Sequence, residues 1–211
     1  MKNTLFLTTI LSSLVVSSSV TGADISDPKA YIKEHFWGNL YKDGGITFYC
    51  KEPFKGKSIL IDEAYIYSDG WIRDELNCGS PRQCRQNSED YRKMVTDMHN
   101  IYPAESRFEL KRKNAKFEFI GDEVAAGDCG VKRSFNIIEP ADDIKGDVAR
   151  AIFYMHKTYN LPIVGSTGQL KRWHINDPVS PEEAERNRKI SEIQGNGNVF
   201  ITNPDEANNL Q

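Results

Sequence analysis

Four cysteines lie in the body of this chain, and their number constrains its fold more than any other feature. Cys50, Cys78, Cys84 and Cys129 are even in number, and exported domains with an even cysteine count are typically cross-linked by disulfides. Two bridges are therefore expected, with three alternative connectivities. A zinc site would favour Cys-x-x-Cys spacing with histidines nearby, and the spacing of Cys78 and Cys84 does not match it.

The first 23 residues have the pattern of a secretory signal peptide. Lys2 is followed by an apolar run and then by small residues up to Ala23, after which we place the cleavage. Residues 24–211 then form the mature domain. An N-terminal membrane anchor is the alternative, but a stable span needs roughly 20 apolar residues. We therefore expect a secreted or periplasmic protein that has no membrane segment after cleavage.

The composition is that of an ordinary globular protein with one core. Of its 211 residues, 39% are hydrophobic and 27% are charged, which excludes a disordered or multi-span membrane chain. The net charge is −3 for the full chain and becomes more negative when Lys2 leaves with the signal peptide. Nucleic acid is therefore not attracted by the chain as a whole, and an anionic partner would need a local basic patch.

The hydrophobic pattern predicts a mixed α+β domain. Four segments combine apolar stripes with capping residues and predict helices: 28–38, 88–98, 141–159 and 181–194. Four alternating or β-branched stretches predict strands: 45–50, 57–67, 115–125 and 131–140. The turn-rich residues 68–85 are predicted to be an irregular loop, held covalently through their two cysteines.

Longer motifs link the chain to a known family. They read TFYC at 47–50, DMHNIYPA at 97–104, KGDVARAIFYM at 145–155 and DPVSPEEAERNRKISEIQGNGNVFI at 177–201. Together they resemble the endonuclease I family of exported, disulfide-bonded bacterial nucleases. The resemblance implies a single domain with a central hairpin and helix of the ββα-metal type, flanked by helices. In such nucleases a histidine activates water and a magnesium ion neutralises charge on the phosphate and the leaving oxygen.

The catalytic motif that the resemblance implies is altered here. The family pattern is Glu-x-Glu-His-x-x-Pro-Ala, in which the histidine is the general base and the preceding glutamate holds the metal. The nearest counterpart, GWIRDELNC at 70–78, has Ile72 at the glutamate and Arg73 at the histidine. Further along, SRFELKRKN at 106–114 places Glu109 where the family has a metal-binding asparagine. Its carboxylate could still bind a hard cation.

His99 is the histidine that the resemblance places near the expected metal centre. An imidazole with a near-neutral pKa can take a proton from water, so His99 is the candidate general base. The alternative is a structural histidine, hydrogen-bonded to a neighbouring strand and flanked by Asp97 and Asn100.

One segment concentrates positive charge in this otherwise acidic chain. The segment comes just after DMHNIYPA. In a catalytically active relative, the phosphate backbone of the nucleic acid would run beside it. The alternative is a solvated charged face without a partner. The candidate nucleic-acid-binding residues are Arg107, Lys111, Arg112, Lys113 and Lys116.

Two functions compete on this evidence. The first is a divergent magnesium-dependent nuclease that cleaves DNA or RNA with His99 and Glu109 in rearranged roles. The second is a nuclease fold that has lost hydrolysis and binds nucleic acid or a protein partner, in which case no cofactor is needed. The loss of the base and of its adjacent ligand removes two contributions to the rate, each worth orders of magnitude, and favours the second function.

Overall fold

The computed structural model describes residues 25–211, so the predicted signal peptide and its cleavage site lie outside the described residues. No helix in this part of the chain is long and apolar enough to cross a membrane. The prediction of an α+β domain is confirmed. The strands are β1 (Gly45–Ile46), β2 (Pro53–Phe54), β3 (Ile61–Tyr65), β4 (Ile101–Glu105), β5 (Lys116–Phe117), β6 (Lys132–Ser134) and β7 (Ile137–Glu139). The helices are α1 (Pro28–Tyr31, continued as a π-helix over Ile32–Leu40), α2 (Asp69–Leu76), α3 (Pro81–Asn87), α4 (Glu89–Thr96), α5 (Ser106–Arg112), α6 (Lys145–Tyr159), α7 (Thr167–Asn176), α8 (Pro181–Gln194) and α9 (Val199–Thr202).

The predicted strand at 45–50 is wrong for most of its length. Only β1 is extended, and it pairs with β2. The next residues form a turn, in which the Lys51 N–H donates to the Thr47 carbonyl at 3.2 Å and the Glu52 N–H donates to the Thr47 hydroxyl at 3.0 Å. Such bonds from a threonine side chain compete with strand pairing, which explains why an alternating pattern does not form a strand here.

The longest strand pair brings together two distant parts of the chain. β3 lies antiparallel to β4, from Ile61 opposite Glu105 to Tyr65 opposite Ile101. The second predicted strand, 57–67, is thus confirmed in its centre. Its partner is the DMHNIYPA segment, which local pattern had not identified as a strand.

The predicted loop at 68–85 is instead two helices. Ser68 begins α2 by accepting a hydrogen bond from the Trp71 N–H at 3.2 Å. Ser80 and Gln83 form a reciprocal capping box at the start of α3, and Pro81 occupies its first position. Serine and proline, which favour turns, are here the start signals of helices too short to show a clear period.

The cysteines pair as Cys50–Cys129 and Cys78–Cys84. The first bridge joins the turn after β1 to the segment before β6. The second bridge closes the short connection between α2 and α3. The expectation of two disulfides is therefore met, and the structure selects one of the three connectivities.

The stretch 131–140 is two strands instead of one. β6 and β7 form a hairpin with Phe135 and Asn136 at its tip, and β5 adds to β7 in parallel. The predicted strand at 115–125 is correspondingly reduced to Lys116 and Phe117.

The two long predicted helices are confirmed. α6 is buried on all sides from Val148 to Met155. α8 begins after the cap Ser180 and ends before Gly195, whose φ of 86° suits glycine. α7, which the sequence pattern did not predict, packs against α6.

Candidate functional site

β3, β4 and α5 form one unit in the middle of the chain. α5 follows β4 without a loop, and its first residue folds back onto the chain before β3: the Ser106 N–H donates to the Leu60 carbonyl at 2.9 Å and the Ser106 hydroxyl donates to the Ile59 carbonyl at 3.0 Å. An antiparallel strand pair with a helix across it is the ββα arrangement that the resemblance implies. Residues three apart share a helix face, so Glu109 and Arg112 both lie on the inner face of α5.

Glu109 is the carboxylate that α5 contributes to this ββα unit. Its Oε1 accepts a hydrogen bond from the Tyr49 hydroxyl at 3.4 Å, and its Oε2 lies 3.7 Å from Nη1 of Arg112. Burial raises the pKa of Glu109, and the positive charge of Arg112 opposes that rise. The carboxylate is therefore already shared between a phenol and a cation.

Arg112 is buried, which corrects its predicted place among the nucleic-acid-binding residues. Its guanidinium donates to the carbonyls of Tyr65 and Ile66 at the end of β3 and lies 4.6 Å from the centre of the Phe117 ring. A side chain that is 2% exposed and bonded in this way cannot reach a phosphate. Arg112 instead ties α5 to β3.

His99 lies in the turn before β4 and contacts α6 and the end of α8. Its Nε2 is 3.0 Å from the carbonyl oxygen of Asn196, and its ring centre is 4.6 Å from that of Tyr154. Because the partner of Nε2 is a carbonyl, that nitrogen carries a proton and donates it. Burial lowers the pKa of His99, although the charge of Asp97 opposes the change. These contacts support the structural alternative for this histidine.

Glu109, the predicted metal ligand of the ββα unit, does not by itself make a magnesium site. Within residues 25–211, no group of three or more His, Cys, Asp or Glu side chains is placed to hold a metal. Magnesium is bound through carboxylate oxygens and water in near-octahedral geometry, whereas Glu109 is engaged by Tyr49 and Arg112. No catalytic step through a metal follows from this arrangement.

The predicted counterpart of the catalytic motif lies next to the ββα unit along the chain. Ile72 and Arg73 lie on α2, outside the ββα unit: Ile72 is buried in the core and Arg73 pairs with Asp69 at 2.8 Å. β3 ends at Tyr65 and is followed by Ile66. Neither residue supplies an imidazole or a carboxylate.

Four cations of the predicted basic segment remain exposed, and the fold adds a fifth. Arg133 of β6 donates from its guanidinium to the carbonyl of Lys111, and the two side chains line a cavity of about 250 Å³ together with Asp128. Arg133 is 17 residues or more from this segment along the chain, and only the fold brings it there. We call the exposed set the basic face: Arg107, Lys111, Lys113, Lys116 and Arg133.

A second cavity, of about 610 Å³, lies at the starts of α6 and α8 and is predominantly acidic. Its lining includes Asp143, Asp147 and Glu183. Burial and the charge of Glu183 raise the pKa of Asp147 to about 7, although Arg150 opposes the shift. Carboxylates outnumber cations in this lining, which also contains Lys51, Arg186 and Lys189, so the basic face is the candidate interface for nucleic acid.

Comparison with known proteins agrees with this geometry. A family model described as Endonuclease I matches residues 13–205. An extracellular deoxyribonuclease of Aeromonas hydrophila is 30% identical over 191 residues, covering 77% of this chain and 83% of the relative. A periplasmic deoxyribonuclease of the same organism is 33% identical and covers 77% and 80%. An extracellular ribonuclease of Bacillus subtilis (strain 168) is 34% identical over 134 residues, 54% and 46% of the two chains. Because the family model spans most of its length, this chain belongs to the endonuclease I family.

Proposed function

We propose that this chain is an exported member of the family that binds nucleic acid through its basic face and has lost efficient hydrolysis. Export is supported by the signal-like leader, by relatives named as extracellular or periplasmic and by two disulfides, which persist in oxidising compartments.

The contacts of Arg112 carry the proposal that hydrolysis is lost. This cation lies 3.7 Å from the carboxylate of Glu109 and binds the carbonyls at the end of β3. His99 contacts Asn196 and Tyr154 instead of these residues. A positioned general base alone contributes roughly 10²- to 10⁴-fold to a rate, so a unit without one would lose most of its activity even if a cation were bound nearby.

The basic face supports binding that is electrostatic and indifferent to sequence. Its five cations are exposed, and contacts from lysine and arginine to phosphates carry no base information. If about three phosphates of duplex DNA are contacted, the logarithm of the binding constant should fall with the logarithm of salt at a slope near −2.7.

The experiment combines cleavage and binding on the oxidised mature protein. Plasmid DNA and RNA are incubated with magnesium, with EDTA as the control, and binding of a labelled duplex is titrated at several salt concentrations. We expect binding without cleavage above the EDTA background. Cleavage that EDTA abolishes would refute the loss of hydrolysis.

A matched pair of triple variants tests the interface. Changing Lys111, Lys113 and Arg133 together to Ala should weaken binding and flatten the salt slope. The control changes three exposed lysines outside the basic face to Ala and removes the same charge: Lys29, Lys33 and Lys42. Equal effects of the two variants, or no binding by the parent at low salt, would contradict the proposed interface and favour a protein partner.

A further inference from the structure

Phe135 is an unusually placed aromatic residue. It is 95% exposed and sits at the tip of the hairpin formed by β6 and β7, where only two residues connect the strands. Exposed apolar side chains that are scattered singly are common on proteins, so exposure alone assigns no role. Two further observations separate Phe135 from that background.

The first observation is its backbone. Phe135 has a φ of 45°, in the left-handed region that a bulky side chain rarely adopts. In two-residue hairpin turns, positions with positive φ are normally taken by Gly, Asn or Asp. A phenylalanine here neither suits the turn nor is buried in the core, so folding does not explain its presence.

The second observation is its surroundings, which belong to the basic face. Arg133, a cation of the basic face, is two residues earlier on β6. The neighbouring turn residue, Asn136, accepts a hydrogen bond at its carbonyl from the Lys116 N–H at 2.8 Å. Arg133 in turn bonds the carbonyl of Lys111. The turn that carries Phe135 is therefore tied by hydrogen bonds to the chain segment that contains Lys111 and Lys116.

We propose that Phe135 is a stacking platform and that the basic face consequently prefers single-stranded nucleic acid over duplex. This inference rests on the proposed binding function and names its substrate class. Proteins that hold single strands combine a positive track for the backbone with aromatic rings on which unpaired bases stack. Bases in a duplex are already stacked on one another, so an exposed ring gains little from them.

The test measures the affinities of a labelled oligonucleotide and of its duplex, for the oxidised mature parent and for Phe135 variants at fixed salt. Stacking of one base on an aromatic ring contributes roughly five- to a hundredfold to affinity. Phe135→Ala should weaken single-strand binding by about tenfold and duplex binding by less than about twofold, on the scale of a single stacked base. Phe135→Tyr keeps a ring and should retain the parent's preference.

Two further variants separate recognition from folding. Phe135→Asn places a residue that tolerates positive φ in the turn, so it should unfold at the parent's temperature or above while still losing single-strand affinity. Phe119→Ala removes another exposed phenylalanine, which lines a groove with Gln169 and Arg172 of α7, and should leave both affinities unchanged.

The outcomes distinguish this inference from the proposed function beneath it. Suppose that the parent binds nucleic acid and that the triple variant of the basic face binds it more weakly. If the Phe135 variants then bind single strands with the parent's affinity, the stacking role is wrong and the binding function stands. Equal losses from Phe135→Ala and Phe119→Ala would also overturn the assignment. If the parent binds neither nucleic acid, the proposed function itself fails.

Discussion

Asp147→Asn should make the protein more stable above neutral pH and have little effect in acid. Asp147 lies in the first turn of α6 beside the acidic cavity, with a side chain that is 17% exposed. Burial and Glu183 raise its pKa to about 7 from the usual 3.8. Between these two values the folded protein holds a proton that the unfolded chain has released. The stabilising effect of this proton is complete below the unfolded pKa and is lost as the pH rises through the folded pKa.

The size of the effect follows from the shift. Each pKa unit corresponds to about 1.4 kcal/mol of free energy, so a shift of roughly three units gives about 4 kcal/mol at most. The nearest cation, Arg150, lies 3.9 Å from Asp147 and is chiefly engaged by Glu183. An asparagine never ionises, so it avoids the cost of a buried charge at high pH. We therefore compare the free energy of unfolding of Asp147→Asn with that of the parent. The advantage of the variant should grow by on the order of 3 kcal/mol between about pH 4 and about pH 8.

Urea unfolding followed by tryptophan fluorescence at several pH values measures this difference directly. The control is Asp143→Asn, which changes an exposed carboxylate lining the same cavity and should show a much flatter profile. A difference between Asp147→Asn and the parent that stays constant with pH, or falls as the pH rises, would refute the assignment of the raised pKa to this site.

Two other predictions concern stability and His99. Removing the Cys50–Cys129 bridge by paired Ala substitutions should lower the free energy of unfolding by about 4 kcal/mol, and removing Cys78–Cys84 should lower it by about 2 kcal/mol. The bridges span 79 and 6 residues, and a bridge that closes a longer loop restricts the unfolded chain more. Denaturant titration measures both losses, and the reverse order would contradict this loop-entropy argument. His99→Ala should lower the free energy of unfolding by about 1–3 kcal/mol, as expected for breaking a buried hydrogen bond. Any trace hydrolysis per folded molecule should be unchanged. If that hydrolysis is lost while stability is unchanged, His99 is the general base.

The parts of the fold that the sequence predicted are those with strong local signals. α6 is long and rich in apolar residues, and α8 starts with a capping serine and a proline, so local patterns were sufficient. The segment 68–85 failed because its helices are seven or eight residues long and begin with residues that also favour turns. The β3–β4 pairing depends on a partner about 40 residues away, which a local pattern cannot identify.

The candidate site was predictable only in its residue types. Charge along the sequence grouped Arg112 with Lys111 and Lys113, because no helix was predicted over 106–112 and the helical period was not applied. Once that period is known, Arg112 falls on the inner face with Glu109. Arg133 and Phe135 come from a hairpin that the sequence analysis had interpreted as one strand, so their approach to the basic face was invisible before the fold was known.

The two faces of α5 explain how binding and hydrolysis can be separated in one family fold. The inner face holds Arg112 beside Glu109, and the attraction between two unit charges 3.7 Å apart is on the order of 4 kcal/mol at an effective dielectric constant near 20, before desolvation. A cation binding Glu109 would either displace Arg112, and so lose that attraction, or bind beside Arg112 and meet its repulsion. The outer face carries Arg107 and Lys111 toward solvent, where phosphate contacts need only exposed charge. Under the proposed function, substitutions on the inner face would remove hydrolysis while leaving the exposed charges of the outer face in place.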